Sequence, residues 1–304
     1  MISNDIVITD VGPRDGLQNQ PKILTVEQRV QLVKAIAKAY VPKIEVGSFV
    51  SPNAVPAMAN TDQVLRALAS EPDFITPCLS LIPNMKGYEF ARDAGAKTVA
   101  MVLYASNGMA QKNASMSMAD AEEVTLNILR LAKLDGIEVI ATVAVAFECP
   151  FDGPSEPAVV QAIVAKFLQA GANHVVLADT IGAAHPQQVR DMTATLVQSH
   201  GAEQLGCHFH DTRAMGLANV YAAVESGIRR FDTSIAGLGG CPFAPGATGN
   251  VATEDVVMML EQMGFDTGID LTLLLQASDI AQDLTGALSA GRSKTWLRGH
   301  LLKQ

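Results

Sequence analysis

The chain has 304 residues, of which 48% are hydrophobic and 17% charged, so it can bury a large core. Its formal net charge is −9 at pH 7, and this acidic balance argues against nucleic acid or an anionic membrane surface as the main partner. No uninterrupted run of about 18 apolar residues is present, so we expect no membrane span.

The four cysteines form no Cys-x-x-Cys pair, and a chain of this size does not need disulfides to fold. The first five residues lack the basic and apolar regions of a secretory signal. We therefore predict reduced cysteines and a cytoplasmic location.

Short apolar segments with strand character alternate with amphipathic helical segments along the whole chain. Predicted strands cover residues 6–8, 43–46, 74–81, 98–104, 138–147, 174–180, 205–210 and 231–236. Predicted helices cover residues 85–94, 117–133, 155–170, 186–199, 217–225, 251–263 and 271–284, and a first helix begins near Thr25, where Thr25 and Gln28 match a capping box. Its buried face is predicted to comprise Val26, Val30, Val33, Ala37 and Tyr40.

Strands that are apolar on both faces and separated by helices are typical of a parallel sheet. A doubly wound open sheet would place a phosphate-binding glycine fingerprint after an early strand, whereas the glycine-rich stretch here lies late, at residues 237–249. We therefore predict a closed α/β (β/α)8 TIM barrel as one catalytic domain over residues 1–304. The barrel would span about residues 5–265, and additional C-terminal helices would follow over about residues 266–304.

Polar residues recur where the predicted strands end. Asp15, Glu45, Asp179, His208 and His210 lie at or near the carboxyl ends of strands one, two, six and seven. In a barrel these ends meet at one mouth, where active sites lie. The coincidence predicts that these side chains form one site.

His208 and His210 share a face of their strand, about 7 Å apart at the backbone, because successive strand side chains alternate. With Asp15 they offer two imidazoles and one carboxylate, a mixed set that suits Mn²⁺, Co²⁺, Fe²⁺ or Mg²⁺ better than closed tetrahedral zinc. Asn250 could add an amide oxygen. Each of these residues also has an alternative role that involves no metal. The histidines could form an ordinary polar pair, and Asn250 could be a turn residue after Gly249.

Two further residues carry chemistry that fits such a mouth. Arg14, beside Asp15, could stabilise an enolate or thioester oxygen through its fork of donors, or could simply be a solvated loop charge. Cys241 stands in the glycine-rich loop, where it could be a general acid or base or merely a small residue in a turn.

Several motifs in fixed order carry a specific resemblance. They are VGPRDGLQN (11–19), Glu45 with SFVSP (48–52), DTIG (179–182), HFHDT (208–212), and AGLGGCP (236–242) with Gly249 and Asn250. Over nearly the whole chain, from about residue 5 to about residue 284, the sequence resembles the 3-hydroxy-3-methylglutaryl-CoA lyase family of metal-dependent TIM-barrel lyases.

The resemblance implies a role for each matching residue. The metal, Mg²⁺ or Mn²⁺, would be held by Asp15, His208, His210 and Asn250. Catalytic residues would be Arg14, which holds the enolate of the acetyl-CoA product, Cys241, which takes part in proton transfer, and Asp179, Glu45 and His208. Substrate contacts are expected from Arg14, Gln18, Ser48 and Arg213, and CoA would be part of the substrate and not a bound cofactor.

Four places depart from the family pattern. Phe209 stands where Cys is common, RAM (213–215) where Tyr-Gly-Gln is frequent, YASNGM (104–109) where an Ala-Ser-Glu stretch is usual, and ECP (148–150) where Gly-Cys-Pro is usual. Three of them are expected near the mouth, so the acyl group of the substrate stays open. Arg213 could contact an additional carboxylate or point to solvent.

The leading hypothesis is a retro-Claisen lyase that cleaves 3-hydroxy-3-methylglutaryl-CoA to acetoacetate and acetyl-CoA, with Asp179 or His208 as base and Cys241 as acid. The alternatives are the same chemistry on citramalyl-CoA or a longer 3-hydroxy-3-alkylglutaryl-CoA, a Claisen-condensing synthase, and a non-catalytic metal- or acyl-CoA-binding protein. A two-His-one-carboxylate iron oxygenase would use similar ligands, but a parallel barrel argues against it. The resemblance also implies a homodimer.

Overall fold

Eight parallel strands close into a barrel, as predicted. The protein is represented by a computed structural model that describes residues 4–240, 249–287 and 291–301, with Leu301 described by its backbone alone. The barrel strands are β1 (Val7–Asp10), β2 (Lys43–Ser48), β3 (Cys78–Leu81), β4 (Thr98–Tyr104), β5 (Glu138–Ala144), β8 (His174–Asp179), β9 (Leu205–Phe209) and β10 (Arg230–Thr233). Around the barrel these strands follow the order β1-β10-β9-β8-β5-β4-β3-β2. A small antiparallel ribbon, β6 (Glu148–Cys149) and β7 (Gly153–Pro154), follows β5.

Helices connect the strands and cover the outside of the barrel. They are α1 (Val26–Lys38), α2 (Thr61–Ala69), α3 (Met85–Asp93), α4 (Asn107–Ala114), α5 (Met118–Asp135), α6 (Pro157–Gln169), α7 (Pro186–His200), α8 (Gly216–Glu225), α9 (Thr253–Gln262), α10 (Leu271–Thr285) and α11 (Lys294–Leu301). None of the helices in the described ranges is long and apolar enough to cross a membrane.

The core has two parts because the strands bury side chains on both faces. The larger part lies between the strands and the helices. The smaller part is a cluster inside the barrel, to which four neighbouring strands each contribute one side chain: Leu79, Ala100, Ile140 and Val176. Alternation along each strand then assigns every second residue to the lumen and the others to the helices.

The first helix confirms its predicted start and most of its predicted face, since Val33 is buried and Val26, Val30 and Ala37 pack partly buried against the core. Thr25 and Gln28 form the reciprocal capping box at the N-terminus of α1. The helix ends at Lys38, and Tyr40 lies beyond it with φ of +63° and 67% exposure, so its predicted burial is wrong. The buried residues of α1 are Arg29, Leu32, Val33 and Ile36.

The third strand is shorter than predicted. It begins at Cys78, and Ile75 in the preceding segment is 89% exposed. The helices α2, α4 and α11 and the β6–β7 ribbon were not predicted.

The first turn of α9 joins the barrel to the C-terminal segment. The buried carboxylate of Asp255 accepts the backbone N–H groups of Arg292 and Ser293, each at 2.8 Å. The fully buried Glu254 accepts the hydroxyl of Ser278 in α10 at 2.8 Å and the N–H of Gly291 at 3.2 Å. The C-terminal segment is therefore fixed beside the carboxyl ends of the strands.

Candidate active site

The loop after β1 is a single π-helical turn, Gly12–Gly16, that carries Arg14 and Asp15. The buried Asp10 anchors it, because its Oδ1 accepts the N–H of Gly12 at 2.8 Å. Only glycine fits at position 12, since a Cβ there would lie 2.8 Å from both Asp10 Oδ1 and the side chain of Ile235. The tight turn presents two charged side chains to the mouth.

Two carboxylates orient the guanidinium of Arg14. Its Nε donates to Glu45 Oε2 and its Nη1 to Asp15 Oδ1, both at 2.6 Å. Burial raises the pKa of Glu45 to about 7, against the lowering effect of Arg14. Burial also raises the pKa of Asp15, but Arg14 and the two histidines outweigh it and bring the pKa to about 2. Asp15 therefore stays ionised and can serve as a ligand.

His208 and His210 face the same space, as predicted, with their ring centroids 5.1 Å apart. Nδ1 of His210 lies 3.0 Å from the backbone oxygen of Asp179, and Nδ1 of His208 lies 3.4 Å from Asp232 Oδ2. These acceptors favour the proton on Nδ1, which leaves each Nε2 lone pair for a ligand. Burial and the neighbouring His208 lower the pKa of His210 to about 4, so its imidazole is neutral at pH 7.

Asp15, His208 and His210 form a group that could hold a metal ion, with ligand atoms all within 4.8 Å of one another. Asn250 joins them: its Nδ2 donates to Asp15 Oδ2 at 2.7 Å, and its buried Oδ1 has no hydrogen-bond partner among the described residues. A buried amide oxygen without a partner is costly unless a cation or donor meets it. Two imidazoles, one carboxylate and an amide oxygen fit a divalent metal.

Asp179 closes β8 and has two separate roles. Its carbonyl meets His210, and its carboxylate accepts the N–H groups of Ala183 and Ala184, the closest at 2.8 Å. Burial raises its pKa to about 6, against those hydrogen bonds. The exposed Arg213 donates to the carbonyls of the same loop, to Gly182 at 3.0 Å and to Ala184 at 3.3 Å. Its described contacts are thus with the backbone of residues 182–184.

The remaining predicted residues lie around this centre. Gln18 is half-buried and follows the turn that carries Asp15. Ser48 ends β2, and its buried Oγ has no partner among the described residues. Cys241 lies outside the described residues, so its predicted role stays a prediction.

Sequence reasoning missed Asp232 and Asp10. Asp232 pairs in register with His208 on the neighbouring strand and approaches its Nδ1. The signal was a carboxylate within the predicted eighth strand, two residues from Arg230. Asp10 was missed because its function depends on contacts with Gly12 and Thr253 across the barrel.

A family model described as HMGL-like matches residues 5–281. The chain belongs to the HMGL-like family. The resemblance predicted from the motifs is therefore confirmed.

Family members with named activities are similar over most of this chain. The sequence is 42% identical over 286 residues to (R)-citramalyl-CoA lyase of Chloroflexus aurantiacus, covering 90% of this chain and 89% of that one. It is 40% identical to hydroxymethylglutaryl-CoA lyase of Pseudomonas mevalonii, covering 89% of each. The structure of an HMG-CoA lyase from Acinetobacter baumannii in complex with coenzyme A and 3-methylmalate matches with a TM-score of 0.91, at 37% identity and covering 97% and 96% of the two chains.

Proposed function

We propose that this HMGL-like protein is a metal-dependent retro-Claisen lyase that cleaves 3-hydroxy-3-methylglutaryl-CoA to acetoacetate and acetyl-CoA. The observation that carries the proposal is the Asp15, His208 and His210 group next to Arg14 at the barrel mouth. A relative with 40% identity is named for this activity, and a structural neighbour binds coenzyme A.

The metal is Mg²⁺ or Mn²⁺, held by Asp15, His208, His210 and Asn250. The partnerless Oδ1 of Asn250 and the Nδ1 contacts of both histidines support this ligand set. When bound, the ion supplies Lewis-acid chemistry that lowers the pKa of the substrate 3-hydroxyl.

Arg14 receives the negative charge that develops on the thioester oxygen when the C2–C3 bond breaks. Glu45 and Asp15 hold its Nε and Nη1 at 2.6 Å, so the guanidinium plane is oriented before substrate binds. A preoriented donor stabilises an enolate without reorganising during the reaction. Gln18, Ser48 and Arg213 are proposed to contact the substrate.

Proton transfer needs a base for the 3-hydroxyl and an acid for the enolate carbon. Asp179 and His208 are the two candidate bases, and Cys241 is the proposed acid. The two bases differ in their second role, because only His208 is also a proposed metal ligand. An Asp179→Asn variant that loses turnover but still binds Mn²⁺ would identify Asp179, whereas unchanged turnover would leave His208.

Citramalyl-CoA is the second candidate substrate. The relative with 42% identity is named as (R)-citramalyl-CoA lyase, and the same cleavage of a 3-hydroxyacyl-CoA would use the same residues. A condensing synthase or a non-catalytic binding protein has no comparable support.

The deciding experiment measures acetyl-CoA release from 3-hydroxy-3-methylglutaryl-CoA and from citramalyl-CoA, with Mn²⁺ and a thiol reductant present. A His208→Ala variant should lose turnover, and His174→Gln, which alters a histidine at the other end of the barrel, should retain it. Release from citramalyl-CoA alone would select the second substrate. No release from either thioester would contradict the proposal.

A homodimer and a cytoplasmic location complete the proposal. Light scattering on the purified protein tests the first, and cell fractionation tests the second.

A further inference from the structure

Tyr104 ends β4 on the lumen side of the barrel. Ala100, four residues earlier on the same strand, belongs to the cluster inside the barrel. Because strand side chains alternate, Tyr104 shares that face. Tyr104 therefore lies on the lumen face at the carboxyl end of β4, the end that carries the proposed metal ligands.

The neighbouring strands present much smaller side chains on this face. Tyr104 pairs in register with Ala144 of β5, and Ala178 of β8 pairs with His208 of β9. Between the phenol of β4 and the imidazole of β9, two strands thus contribute methyl groups at this level. At this level β5 and β8 therefore carry small side chains beside His208, and β4 carries one large ring.

The ring of Tyr104 is held in place. It is 6% exposed, and its Oη accepts the side-chain amide of Asn113 in α4 at 2.9 Å. The start of α4 is fixed in turn, since Ser106 caps it and Asp152 Oδ2 accepts both the hydroxyl of Ser106 at 2.5 Å and the N–H of Gly108 at 2.8 Å. Because the ring is buried and bonded to an anchored helix, it cannot swing away at low cost.

This arrangement involves two of the four places where the sequence departs from its family. Tyr104, Ser106 and Gly108 lie in the 104–109 stretch, and Cys149, in the 148–150 stretch, has its Sγ 2.9 Å from Ser106 Oγ. The two stretches are therefore in contact, through a Ser and a Cys that the usual family pattern also has. Tyr104 is the large side chain in which the first stretch departs from that pattern.

We propose that Tyr104 is a specificity-determining residue that limits the substituent on the reacting carbon of the substrate to about the size of a methyl group. The inference rests on the proposed function, because it assumes a 3-hydroxyacyl-CoA bound at the Asp15, His208 and His210 group. A methyl substituent fits beside Ala144 and Ala178, whereas a long alkyl chain meets the fixed ring.

The test compares kcat/KM for 3-hydroxy-3-methylglutaryl-CoA and 3-hydroxy-3-hexylglutaryl-CoA. Tyr104→Ala should raise the ratio of kcat/KM for the hexyl substrate to kcat/KM for the methyl substrate at least about tenfold. Hydrophobic pockets discriminate between substrates that differ by a few methylene groups by a factor of that order. Tyr104→Phe keeps the ring and should leave the ratio within twofold of wild type. A Tyr104→Ala ratio within twofold of wild type would overturn the proposal.

Two further variants separate specificity from folding. Leu103→Val alters the next residue, which faces the helices, and should change stability without changing the ratio. Asn113→Ala releases the ring but leaves the core filled, and it should shift the ratio in the same direction as Tyr104→Ala, which keeps the proposal testable if that variant does not fold. If Tyr104→Ala misfolds and the ratio of kcat/KM values in Asn113→Ala equals that of wild type, the proposal for Tyr104 is contradicted.

Failure of the proposed lyase function can be distinguished from failure of the proposal for Tyr104. If wild type releases acetyl-CoA from neither thioester, the lyase proposal fails, and the role of Tyr104 is judged by the ratio of Kd values for the two thioesters in calorimetry. Tighter binding of the hexyl thioester by Tyr104→Ala than by wild type supports the proposal, and equal ratios overturn it.

Discussion

Asp10 shows how one buried carboxylate shapes the site without belonging to it. Its Oδ1 accepts the N–H of Gly12 at 2.8 Å, and its Oδ2 accepts the hydroxyl of Thr253 at 2.7 Å. Thr253 Oγ1 also lies 2.8 Å from Thr233 Oγ1 at the end of β10. The turn that carries Arg14 and Asp15 is thereby attached to the opposite end of the chain.

Burial raises the pKa of Asp10 to about 7, against the hydrogen bonds from Thr253 and Gly12. A carboxyl with a raised pKa binds its proton more tightly in the folded chain, so its contribution to stability is full below its ordinary pKa and is lost as the pH rises through about 7. The Asp10→Asn side chain cannot ionise. As the pH rises from 4 to 8, the free energy of unfolding of Asp10→Asn should therefore increase by roughly 2–4 kcal/mol relative to that of wild type.

Chemical denaturation at several pH values in that window measures this difference. Asp62→Asn, on the partly exposed surface of α2, is the matched control and should parallel wild type at every pH. Parallel curves for Asp10→Asn and wild type would contradict a raised pKa at Asp10.

Asn250 should contribute directly to metal affinity. Its Oδ1 is buried and lacks a partner among the described residues, and its Nδ2 lies 2.7 Å from Asp15 Oδ2. Asn250→Ala removes both atoms and should weaken Mn²⁺ binding by at least about 10–100-fold, the range seen even for residues that only support metal ligands. Titration followed by electron paramagnetic resonance measures the Kd. Asn127→Ala, on the exposed side of α5, should bind as wild type does, and equal affinity in both variants would exclude Asn250 as a ligand.

At the scale of elements, the first turn of α9 holds several loops at the mouth. Thr253 meets Asp10, Glu254 accepts the N–H of Ala236 at 3.1 Å, and Asp255 binds the segment at 292–293. Arg292 in turn donates to Asp211 Oδ2 at 2.9 Å, in the loop that follows His210. One helical turn thus connects the loops after β1, β9 and β10.

Asp255→Ala should release the C-terminal segment while the barrel stays folded. The substitution removes the acceptors of the Arg292 and Ser293 N–H groups, each worth roughly 1–3 kcal/mol when left buried and unpaired. Hydrogen exchange followed by mass spectrometry should show faster exchange over residues 291–301 and unchanged protection in β4 and β5. Asp283→Ala in α10 is the control, and unchanged exchange at 291–301 in Asp255→Ala would contradict this role.

Elements with a strong local signal were predicted well. The strand over residues 98–104 has the predicted bounds, and Thr25 caps α1 as its sequence indicates. The start of β3 and the exposure of Tyr40 were not predicted, because both depend on where the chain leaves the barrel and not on local hydrophobicity. Short connecting elements such as α4 form around tertiary contacts, here Asp152 on Ser106 and Gly108.

The site follows the same division. The rule that barrel strands meet at their carboxyl ends was enough to group Asp15, His208 and His210. Asp232 could not be placed, since its approach to His208 depends on the register of β10 with β9. Asn250 was predicted as a ligand, but its hydrogen bond to Asp15 depends on the closure of β10 against β1. The two strands that close the barrel are the first and the last in the sequence.

At the scale of the whole molecule, the proposed metal joins the two ends of the chain. Asp15 follows the first strand, His208 lies in β9 with His210 directly after it, and Asn250 lies after the last strand. A ligand that binds only the folded chain stabilises it by RT ln(1 + [L]/Kd), about 2.7 kcal/mol at a concentration 100 times Kd. Because this site forms only when the barrel closes, the whole of that energy should favour the folded state.

Mn²⁺ at about 100 times its Kd should therefore raise Tm by about 5 °C, and a chelator should reverse the rise. His208→Ala should show no such shift, whatever its own Tm, because it lacks one ligand of the group. His174→Gln replaces a histidine at the start of β8, at the opposite end of the barrel, and should keep the full shift. Scanning calorimetry with and without Mn²⁺ gives both values. An equal shift in His208→Ala and wild type would mean that the ion stabilises the protein from somewhere other than the barrel mouth.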